Sequence, residues 1–498
     1  VSASKIDDKV AWYENTMPIT YAYGPRERVY AASSASYSGT SCADASACEV
    51  ACSADSSCEG YTGTPYFVSS LETSGVVIEN NGQPSALGAT ISIERPQMTV
   101  STQYPEILYA NPSALSNGDF VVSFYAHDWP NWQKQEIWIQ LYNSAGTKKG
   151  SLIQVAENTA NDGNRYFNQA YSAVLKNDDI IVVWQGKVSA SNVYENIYAQ
   201  RLNSAGVKQG SSFMVNTETT STYDLHGSPK VTALENGGFI VSYAKSDYAG
   251  NLGHIDAFQR FDASCNKVGS EIIVSNSKYQ GNALSFPDNS FVFLWYRIES
   301  GFNQIFLQKF DASGNTVGSE ILVNTRTTSS HHITPSVGLV ADRFSDNSFV
   351  VVYNSASEVA GDFNDVYFQR FDFNGTKIGT ETLINEQTVK QQNQVNVKVL
   401  SDDTFITTWS STIPDQTANH IMAQLYSASG IKIGTNFKVS EDSSTGNLEN
   451  TPAVIELSNG NILFAWKHEV SASTTENAEL RLYKHNLEFI KMDYPILV

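Results

Sequence analysis

The chain lacks the sequence features that would place it in a membrane or on a polyanion. No apolar run among its 498 residues approaches the roughly 18 residues that a membrane-spanning helix requires. Basic residues are scarce, 32 against 51 acidic ones, and the resulting net charge of -19 repels nucleic-acid backbones and anionic lipids. The sequence therefore predicts neither nucleic acid nor membrane as a partner.

Recognisable catalytic sequences are also missing. The chain contains no GxSxG, HExxH, P-loop or GxGxxG run, and paired carboxylates such as Asp178-Asp179 and Asp402-Asp403 fall in repeated turns. His331 and His332 form the only histidine pair, and no acidic or cysteine residue stands beside them, which favours an exposed polar loop over a metal site. From these absences we expect no enzymatic activity, no cofactor and no bound metal.

Cysteine is rare outside one short stretch. Four of the five cysteines are Cys42, Cys48, Cys52 and Cys58, whose spacings, without a nearby histidine, favour disulfides over a zinc site. Three pairings of these four are possible. Disulfides persist in oxidising compartments, so we expect a secreted, extracellular protein, and a chain that begins at Val1 without a signal-peptide pattern fits a mature secreted form.

Most of the chain is a tandem repeat. Turns of the type SNGD, ENGG or SDNS lead into short β-branched runs that end in an aromatic residue, with steps of 52 to 60 residues from one aromatic to the next. These closing aromatics are Phe124, Trp184, Tyr243, Trp295, Tyr353, Trp409 and Trp466. So regular a period indicates one supersecondary unit copied seven times.

Each of these hairpins is followed by a second hairpin, whose clearest copy is Asn303–Asn324. Four short strands per unit and seven units predict an all-β fold, a seven-bladed β-propeller of four-stranded antiparallel blades with the closing aromatics packed between blades. We assign residues 97–498 to the propeller. Residues 1–74 form an N-terminal extension that contains the disulfide-stapled segment, and residues 75–96 form an extra hairpin, or half-blade.

Two stretches resemble known families. The run Phe310-Asp311-Ala312-Ser313-Gly314, followed by Gly318, resembles the secreted propeller repeats of large bacterial surface and toxin-associated proteins. The cysteine-rich segment at about residues 40–66, with Cys52 to Tyr61 in a C-x-x-D-x-x-C-x-G-aromatic pattern, resembles part of an apple (PAN) domain, a family that binds protein or sugar. The first resemblance implies a secreted propeller, and neither one implies a reaction.

Three further positions are candidate sites. Cys265 occupies a hairpin-turn position that holds glycine in the other copies, and in a secreted chain it is expected to be a free thiol or to form an intermolecular bond. Asn374 begins the only N-x-[ST] sequon, at an exposed turn, and is expected to carry an N-linked glycan. Trp129 and Trp132, in the loop DWPNW, could stack on sugar rings.

A glutamine recurs three residues before the turn of the second hairpin in six copies. It could face a ligand, but six identical copies favour a structural role in which each amide satisfies backbone groups of a neighbouring strand. The six are Gln140, Gln200, Gln259, Gln308, Gln369 and Gln424.

The unpaired hairpin Val76–Ile93 carries the functional hypothesis. Its edge either folds back to close its own ring or docks on a neighbouring molecule, which gives head-to-tail assembly. We therefore expect a secreted, glycosylated structural or adhesive protein that self-associates, as a subunit of an extracellular fibre. The alternatives are a lectin-like propeller that binds glycans and a carbohydrate-active enzyme with carboxylates at the propeller mouth.

Overall fold

A computed structural model describes most of the repeat region and short pieces of the N-terminal part. The described residues are 36–37, 40–41, 61–62, 89–93, 98–100, 106–127, 135–157, 168–186, 195–217, 224–247, 255–274, 279–332, 341–356, 364–388, 390–412, 418–440, 448–469 and 476–489. Within these ranges the chain forms strands and turns, and none of it is a helix long and apolar enough to cross a membrane.

The strands are short, as the repeat predicts. In chain order they are β1 (Ser36–Tyr37), β2 (Thr40–Ser41), β3 (Tyr61–Thr62), β4 (Ala89–Ile93), β5 (Met98–Thr99), β6 (Glu106–Ala114), β7 (Phe120–His127), β8 (Gln135–Tyr142), β9 (Lys148–Glu157), β10 (Asn168–Val174), β11 (Ile180–Gly186), β12 (Asn196–Leu202), β13 (Phe213–Met214), β14 (Asp224–Ala233), β15 (Phe239–Asp247), β16 (Ile255–Phe261), β17 (Lys267–Ile273), β18 (Tyr279–Ser285), β19 (Phe291–Glu299), β20 (Phe302–Phe310), β21 (Thr316–Leu322), β22 (His331–His332), β23 (Ala341–Arg343), β24 (Phe349–Ala356), β25 (Asn364–Phe371), β26 (Lys377–Leu383), β27 (Gln392–Val399), β28 (Phe405–Thr412), β29 (Asn419–Tyr426), β30 (Lys432–Lys438), β31 (Leu448–Glu456), β32 (Asn461–Glu469) and β33 (Glu476–Phe489).

The chain divides into two compact units. The main unit is Gln97–Ile431 with Val439–Leu480, and the second unit is Val1–Pro96 with Lys432–Lys438 and Arg481–Val498. In the second unit, β1 pairs antiparallel with both β2 and β3, and β4 pairs antiparallel with the Tyr483–Phe489 part of β33. The segment that contains Cys42, Cys48, Cys52 and Cys58 lies outside the described residues.

The fold is a seven-bladed β-propeller of four-stranded antiparallel blades, so the predicted fold class is confirmed. The sheets β6–β9, β10–β13, β14–β17 and β18–β21 are the first four blades, and β24–β26, preceded by the short strands β22 and β23, form the fifth. The sixth blade begins with β27–β29 and the seventh with β31–β33. Each blade starts at its innermost strand, and the chain runs outward through consecutive antiparallel neighbours.

The closing aromatics lie between blades, as predicted. All seven are at most 3% exposed. Trp184 of blade two belongs to a core cluster with Val121 and Ile137 of blade one, and Trp295 of blade four to a cluster with Ile240 and Phe258 of blade three. Tyr243, Tyr353 and Trp409 take the equivalent place against the blades that precede theirs. Each of these blades therefore buries its inner face against its neighbour.

Polar side chains join the innermost strands of neighbouring blades. In each case a side chain of one blade donates a hydrogen bond to a backbone carbonyl of the next, or of the previous, blade. The bonds are Asn111 Nδ2 to Ala170 O (2.7 Å), Ser113 Oγ to Ser172 O (3.0 Å), Thr232 Oγ1 to Ala283 O (2.9 Å) and Ser285 Oγ to Ala233 O (2.9 Å). The innermost layer is held together by hydrogen bonds as well as by apolar packing.

The side-chain amides of the recurring glutamines bind backbone carbonyls, as predicted. Each amide nitrogen donates to the carbonyl of the following residue. Those of Gln140, Gln200, Gln259, Gln308 and Gln369 also donate to the carbonyl of a glycine ten residues later. The first bonds are Gln140 to Leu141 (2.9 Å), Gln200 to Arg201 (2.8 Å), Gln259 to Arg260 (3.0 Å), Gln308 to Lys309 (2.9 Å), Gln369 to Arg370 (2.9 Å) and Gln424 to Leu425 (2.8 Å). The amide thereby satisfies carbonyls where the strand register shifts, for example between Leu307 and Lys309.

The turn of the second hairpin needs a left-handed residue. Gly314 has φ +85°, and a Cβ there would lie 2.8 Å from Ile272 Cδ1 and 3.0 Å from Arg260 Nε of the preceding blade. Gly318, in the strand that follows, has φ +71° but open space around it. The two glycines therefore share a backbone requirement and differ in how closely the neighbouring blade approaches.

This difference predicts unequal costs for two alanine substitutions. Gly318→Ala should lower the free energy of unfolding by about 1 kcal/mol, the cost of a left-handed L-residue. Gly314→Ala should cost about 1–3 kcal/mol more, because its methyl group also crowds the neighbouring blade. Urea titrations of both variants measure the two costs, and equal costs would show that the neighbouring blade moves away freely.

Candidate functional site

The innermost strands of the seven blades surround a cavity of about 310 Å³. Because every blade contributes residues to its wall, the cavity lies on the propeller axis. An adjoining cavity of about 510 Å³ shares Ala233 with the first and is lined by the turns that follow the innermost strands, including Ser116, Ser401 and Ser458. We refer to the two cavities together as the axial channel.

A repeated bulge shapes the wall of the inner cavity. In six blades, as far as the chain is described, the innermost strand shifts register against the second strand. Four of these bulges hold a non-glycine residue with positive φ: Gln169 (+53°), Ser228 (+54°), Gln394 (+57°) and Thr451 (+50°). The first residue to resume the register lines the cavity in all six. These six residues, which we name the bulge ring, are Asn111, Tyr171, Lys230, Asn282, Asn396 and Ala453. Bulges commonly redirect side chains in this way.

The bulge ring is rich in hydrogen-bonding groups and contains no carboxylate. It presents three amides, a phenol, an amine and a methyl group. Lys230 is 5% exposed, and its Nζ lies 3.3 Å from the centroid of the Tyr171 ring. Burial lowers the pKa of the Lys230 ammonium well below its ordinary value, because desolvation disfavours the charged form.

Asn396 is the ring member with an unused donor. Its side chain is 1% exposed, and its Nδ2 has no hydrogen-bond partner among the described residues. A buried polar group without a partner costs about 1–3 kcal/mol, so native structures seldom keep one without water or a ligand. The Asn111 amide, in contrast, is used in the hydrogen bond to Ala170.

The carboxylates that line the channel are engaged by neighbouring residues. Asp342 accepts from Lys398 Nζ at 2.6 Å and from the Val399 N–H at 2.8 Å. Glu235 lies 3.1 Å from Lys176 Nζ and 3.3 Å from an Arg343 nitrogen.

The two remaining channel carboxylates accept hydrogen bonds from the neighbouring blade. Asp178 and Glu456 each accept a backbone N–H and a hydroxyl bond from a serine of the preceding blade, Ser116 at 2.9 and 2.5 Å and Ser401 at 2.7 and 2.8 Å. All four channel carboxylates therefore hold blades or charged neighbours in place. The turn positions predicted for Asp178 and for the pair at 402–403 are confirmed.

The candidate site residues predicted from the sequence do not line this channel. Trp129 and Trp132 lie outside the described residues. Cys265 is a free, half-buried thiol with φ +65°, packed against the core between blades two and three, and burial raises its pKa. Asn374 is exposed at its turn, where its N–H donates to Asp372 Oδ1 at 2.9 Å. Glycosylation of Asn374 remains a prediction.

The prediction that His331 and His332 lie in an exposed loop is wrong for His331. This residue is fully buried in the short strand β22, where it pairs with Ser355. Its Nε2 lies 2.6 Å from the Arg326 carbonyl, and its ring meets Tyr353 edge-on at 5.9 Å. Within the described part of the chain, no group of three or more histidine, cysteine or acidic side chains is placed to hold a metal ion.

The bulge ring was not predicted from the sequence, although a faint signal exists. Each member stands four residues before the apolar residue that opens the first turn of its blade, for example Asn111 before Leu115 and Lys230 before Leu234. The apolar position is nearly constant, whereas the ring position varies from asparagine to tyrosine, lysine and alanine. Variation at a fixed offset in a repeat marks a position that packing does not determine.

A second polar feature lies in blade seven. His468 Nδ1 is 2.6 Å from Glu449 Oε1, and Glu449 is 2% exposed. The hydrogen bond to Glu449 raises the pKa of His468 above its ordinary value, against the opposing effect of burial. This pair links β31 to β32 and makes the stability of the blade depend on pH.

Comparisons with known proteins assign this chain to no family. No protein-family model matches this chain, and no curated protein matches it. The resemblances to bacterial propeller repeats and to an apple segment therefore remain expectations.

Solved structures with a similar fold do exist. A protein of unknown function from Dyadobacter fermentans is 10% identical over 80% of this chain and 99% of its own, with a TM-score of 0.49. The polysaccharide lyase Uly1 is 9% identical over 85% and 94%, with a TM-score of 0.47. The GH93 α-L-arabinofuranosidase of Fusarium graminearum is 11% identical over 77% and 94%, with a TM-score of 0.43.

The expectation that this protein is not an enzyme is corrected by these comparisons. Two of the three similar structures are enzymes. The absence of short catalytic motifs does not exclude catalysis, because one fold can host unrelated functions, and a carbohydrate-active enzyme is compatible with the fold. Identities this low speak for the fold alone and assign no reaction to this chain.

The His468–Glu449 pair predicts a pH-dependent stability. Because the folded-state pKa of His468 is raised, its contribution is fully present below the unfolded value of about 6.5 and is lost as pH rises through the folded value. Between pH 5.5 and 8.5 the wild type should therefore lose thermal stability relative to His468→Gln.

The control for this prediction is Glu449→Gln, which removes the partner and should flatten the pH dependence in the same way. Differential scanning calorimetry across the pH range measures both variants. Parallel curves for wild type and His468→Gln would contradict the role given to the pair.

Proposed function

We propose that this protein is a secreted, glycosylated structural or adhesive propeller whose copies join head to tail through β4. The observation that supports the proposal is the pairing of β4 with β33 in the second unit. Ile93 lies opposite Tyr483, Ser92 opposite Lys484 and Ile91 opposite His485, in antiparallel register. A strand from the N-terminal part of the sequence is thus added to a strand from the C-terminal part.

Such a pairing can be made within one chain or between two. Its hydrogen bonds are made by backbone groups, so the same register forms whichever molecule supplies β4. When the donor is a neighbour, the contact joins two different surfaces, and heterologous contacts of this kind grow into open assemblies when their rotation does not close a ring. A closed monomer and a head-to-tail assembly therefore differ only in which molecule supplies β4.

Other features fit an extracellular assembly. The Asn374 sequon lies on an exposed turn that a glycosylating enzyme could reach, and the net charge of -19 favours solubility of a large surface. Cys265, in contrast, is half-buried and contributes little to an intermolecular bond. Secretion, glycan attachment and self-association are parts of this proposal.

A cysteine pair across the β4–β33 contact distinguishes the two origins of the strand. Ser92→Cys and Lys484→Cys introduce thiols at directly opposed positions, in a Cys265→Ser background. Strand donation between molecules predicts a ladder of disulfide-linked oligomers from the double variant on non-reducing gels. It also predicts a covalent dimer when the two single variants are mixed.

The mixed single variants are the decisive control, because they can cross-link only between molecules. Electron microscopy of the same samples, prepared at high concentration, should show rods with an axial repeat near the size of one propeller. A double variant that is fully oxidised yet migrates as a monomer, together with no dimer from the mixture, would refute assembly through β4.

A further inference from the structure

We propose that an ion pair between Glu235 and Arg343 is a gate between the two cavities of the axial channel, and that small solutes reach the inner cavity when this pair separates. The gate lies within one propeller and does not involve β4. The proposal therefore stands or fails independently of the proposed assembly.

The walls of the two cavities fix the position of this ion pair. Arg343 lines the inner cavity of about 310 Å³, Glu235 lines the outer cavity of about 510 Å³, and their charged atoms are 3.3 Å apart. A second ion pair has the same arrangement, because Asp342 lines the inner cavity, Lys398 lines the outer one, and they meet at 2.6 Å. Both ion pairs therefore lie where the two cavities adjoin.

The Glu235–Arg343 pair joins two blades that are not neighbours. Arg343 belongs to β23 of blade five and Glu235 to the turn after β14 of blade three, so the contact spans the width of blade four. Blade four lines the inner cavity through residues such as Asn282 and Ser285, but the described residues of blades four and five do not line the outer one. The Arg343 side chain therefore covers part of the passage between the cavities.

The two ion pairs differ in how firmly they are held. Asp342 also accepts the Val399 N–H at 2.8 Å, and its side chain is only 10% exposed. The side chains of Glu235 and Arg343 are 39% and 28% exposed, and exposed ion pairs contribute little to stability. The Glu235–Arg343 pair is therefore the one that can open.

Glu235 has a second cation within reach. Its Oε2 lies 3.1 Å from Lys176 Nζ of blade two, whereas its Oε1 contacts Arg343. When Arg343 moves away, the carboxylate keeps one opposite charge, which lowers the cost of opening. Two arrangements follow, one with Arg343 across the passage and one with Glu235 held by Lys176 alone.

Salt should shift the balance between these two arrangements. Dissolved ions screen exposed charges, and the Debye length falls from about 30 Å at 0.01 M salt to about 3 Å at 1 M. The exposed Glu235–Arg343 pair should weaken more than the less exposed Asp342–Lys398 pair. Higher ionic strength should therefore open the gate and speed the entry of neutral solutes.

One thiol on each side of the gate tests this proposal. Ala173 lines the inner cavity and Ala114 the outer one, and both are partly exposed. Ala173→Cys and Ala114→Cys, each in a Cys265→Ser background, are labelled with the neutral reagent methyl methanethiosulfonate, and mass spectrometry follows the peptide that contains the new thiol. Raising the salt concentration from about 20 mM to about 500 mM should speed labelling at residue 173 and leave the rate at residue 114 unchanged.

Glu235→Gln separates the charge from the shape of the side chain. At low salt it should raise the labelling rate at residue 173 about two- to fivefold, the shift expected when one exposed ion pair is lost. It should also remove the salt dependence. The matched control is Glu320→Gln, which removes a similarly exposed ion pair with Arg297 in blade four and should change neither rate.

Three results would overturn the proposal. Equal labelling rates at residue 173 with and without Glu235→Gln would mean that solutes enter the inner cavity by another path. Equal acceleration at residues 173 and 114 would show that the ion pair braces the blades and that its loss loosens them generally. No labelling of residue 173 at any salt concentration would show that opening of this pair admits no solute.

Discussion

A four-stranded blade has two faces and cannot bury both by itself, and the rest of this structure depends on that constraint. Each blade solves it by placing an aromatic ring, such as Trp295 or Tyr353, into the core of the blade before it. These interfaces bring seven innermost strands together around one axis. The polar groups of those strands then face one another, which explains the interblade hydrogen bonds from Ser113, Thr232 and Ser285.

The same constraint leaves the axial positions free. Residues between blades, such as Leu115 and Leu234, must be apolar because they pack. The bulge ring lines the axial cavity instead. Its members are at most 8% exposed, yet they differ from blade to blade while the apolar positions four residues later stay nearly constant.

The sequence predicts those parts of the structure that the repeat imposes. The period, the burial of residues such as Trp409 and the backbone role of Gln308 follow from many copies of one pattern. Features that depend on the contacts of a single strand do not repeat, and they were not predicted from the sequence. His331 is buried because β24 pairs with it from more than twenty residues away, and a register shift leaves no mark in apolar periodicity. Missing short motifs are a poor guide to catalysis in such a fold, since a propeller can gather reactive groups from distant blades.

Closure of the ring and joining of chains compete through effective concentration. A strand in the same molecule as its acceptor experiences an effective concentration that can reach the order of millimolar, which favours pairing of β4 within its own chain in dilute solution. Donation to a neighbour requires a high local concentration or additional contacts between propellers that repay the exchange. The proposed secretion would supply the first condition if the molecules accumulated at one surface. The backbone pairing of Ile93 with Tyr483 is then equally suited to a closed monomer and to a growing fibre.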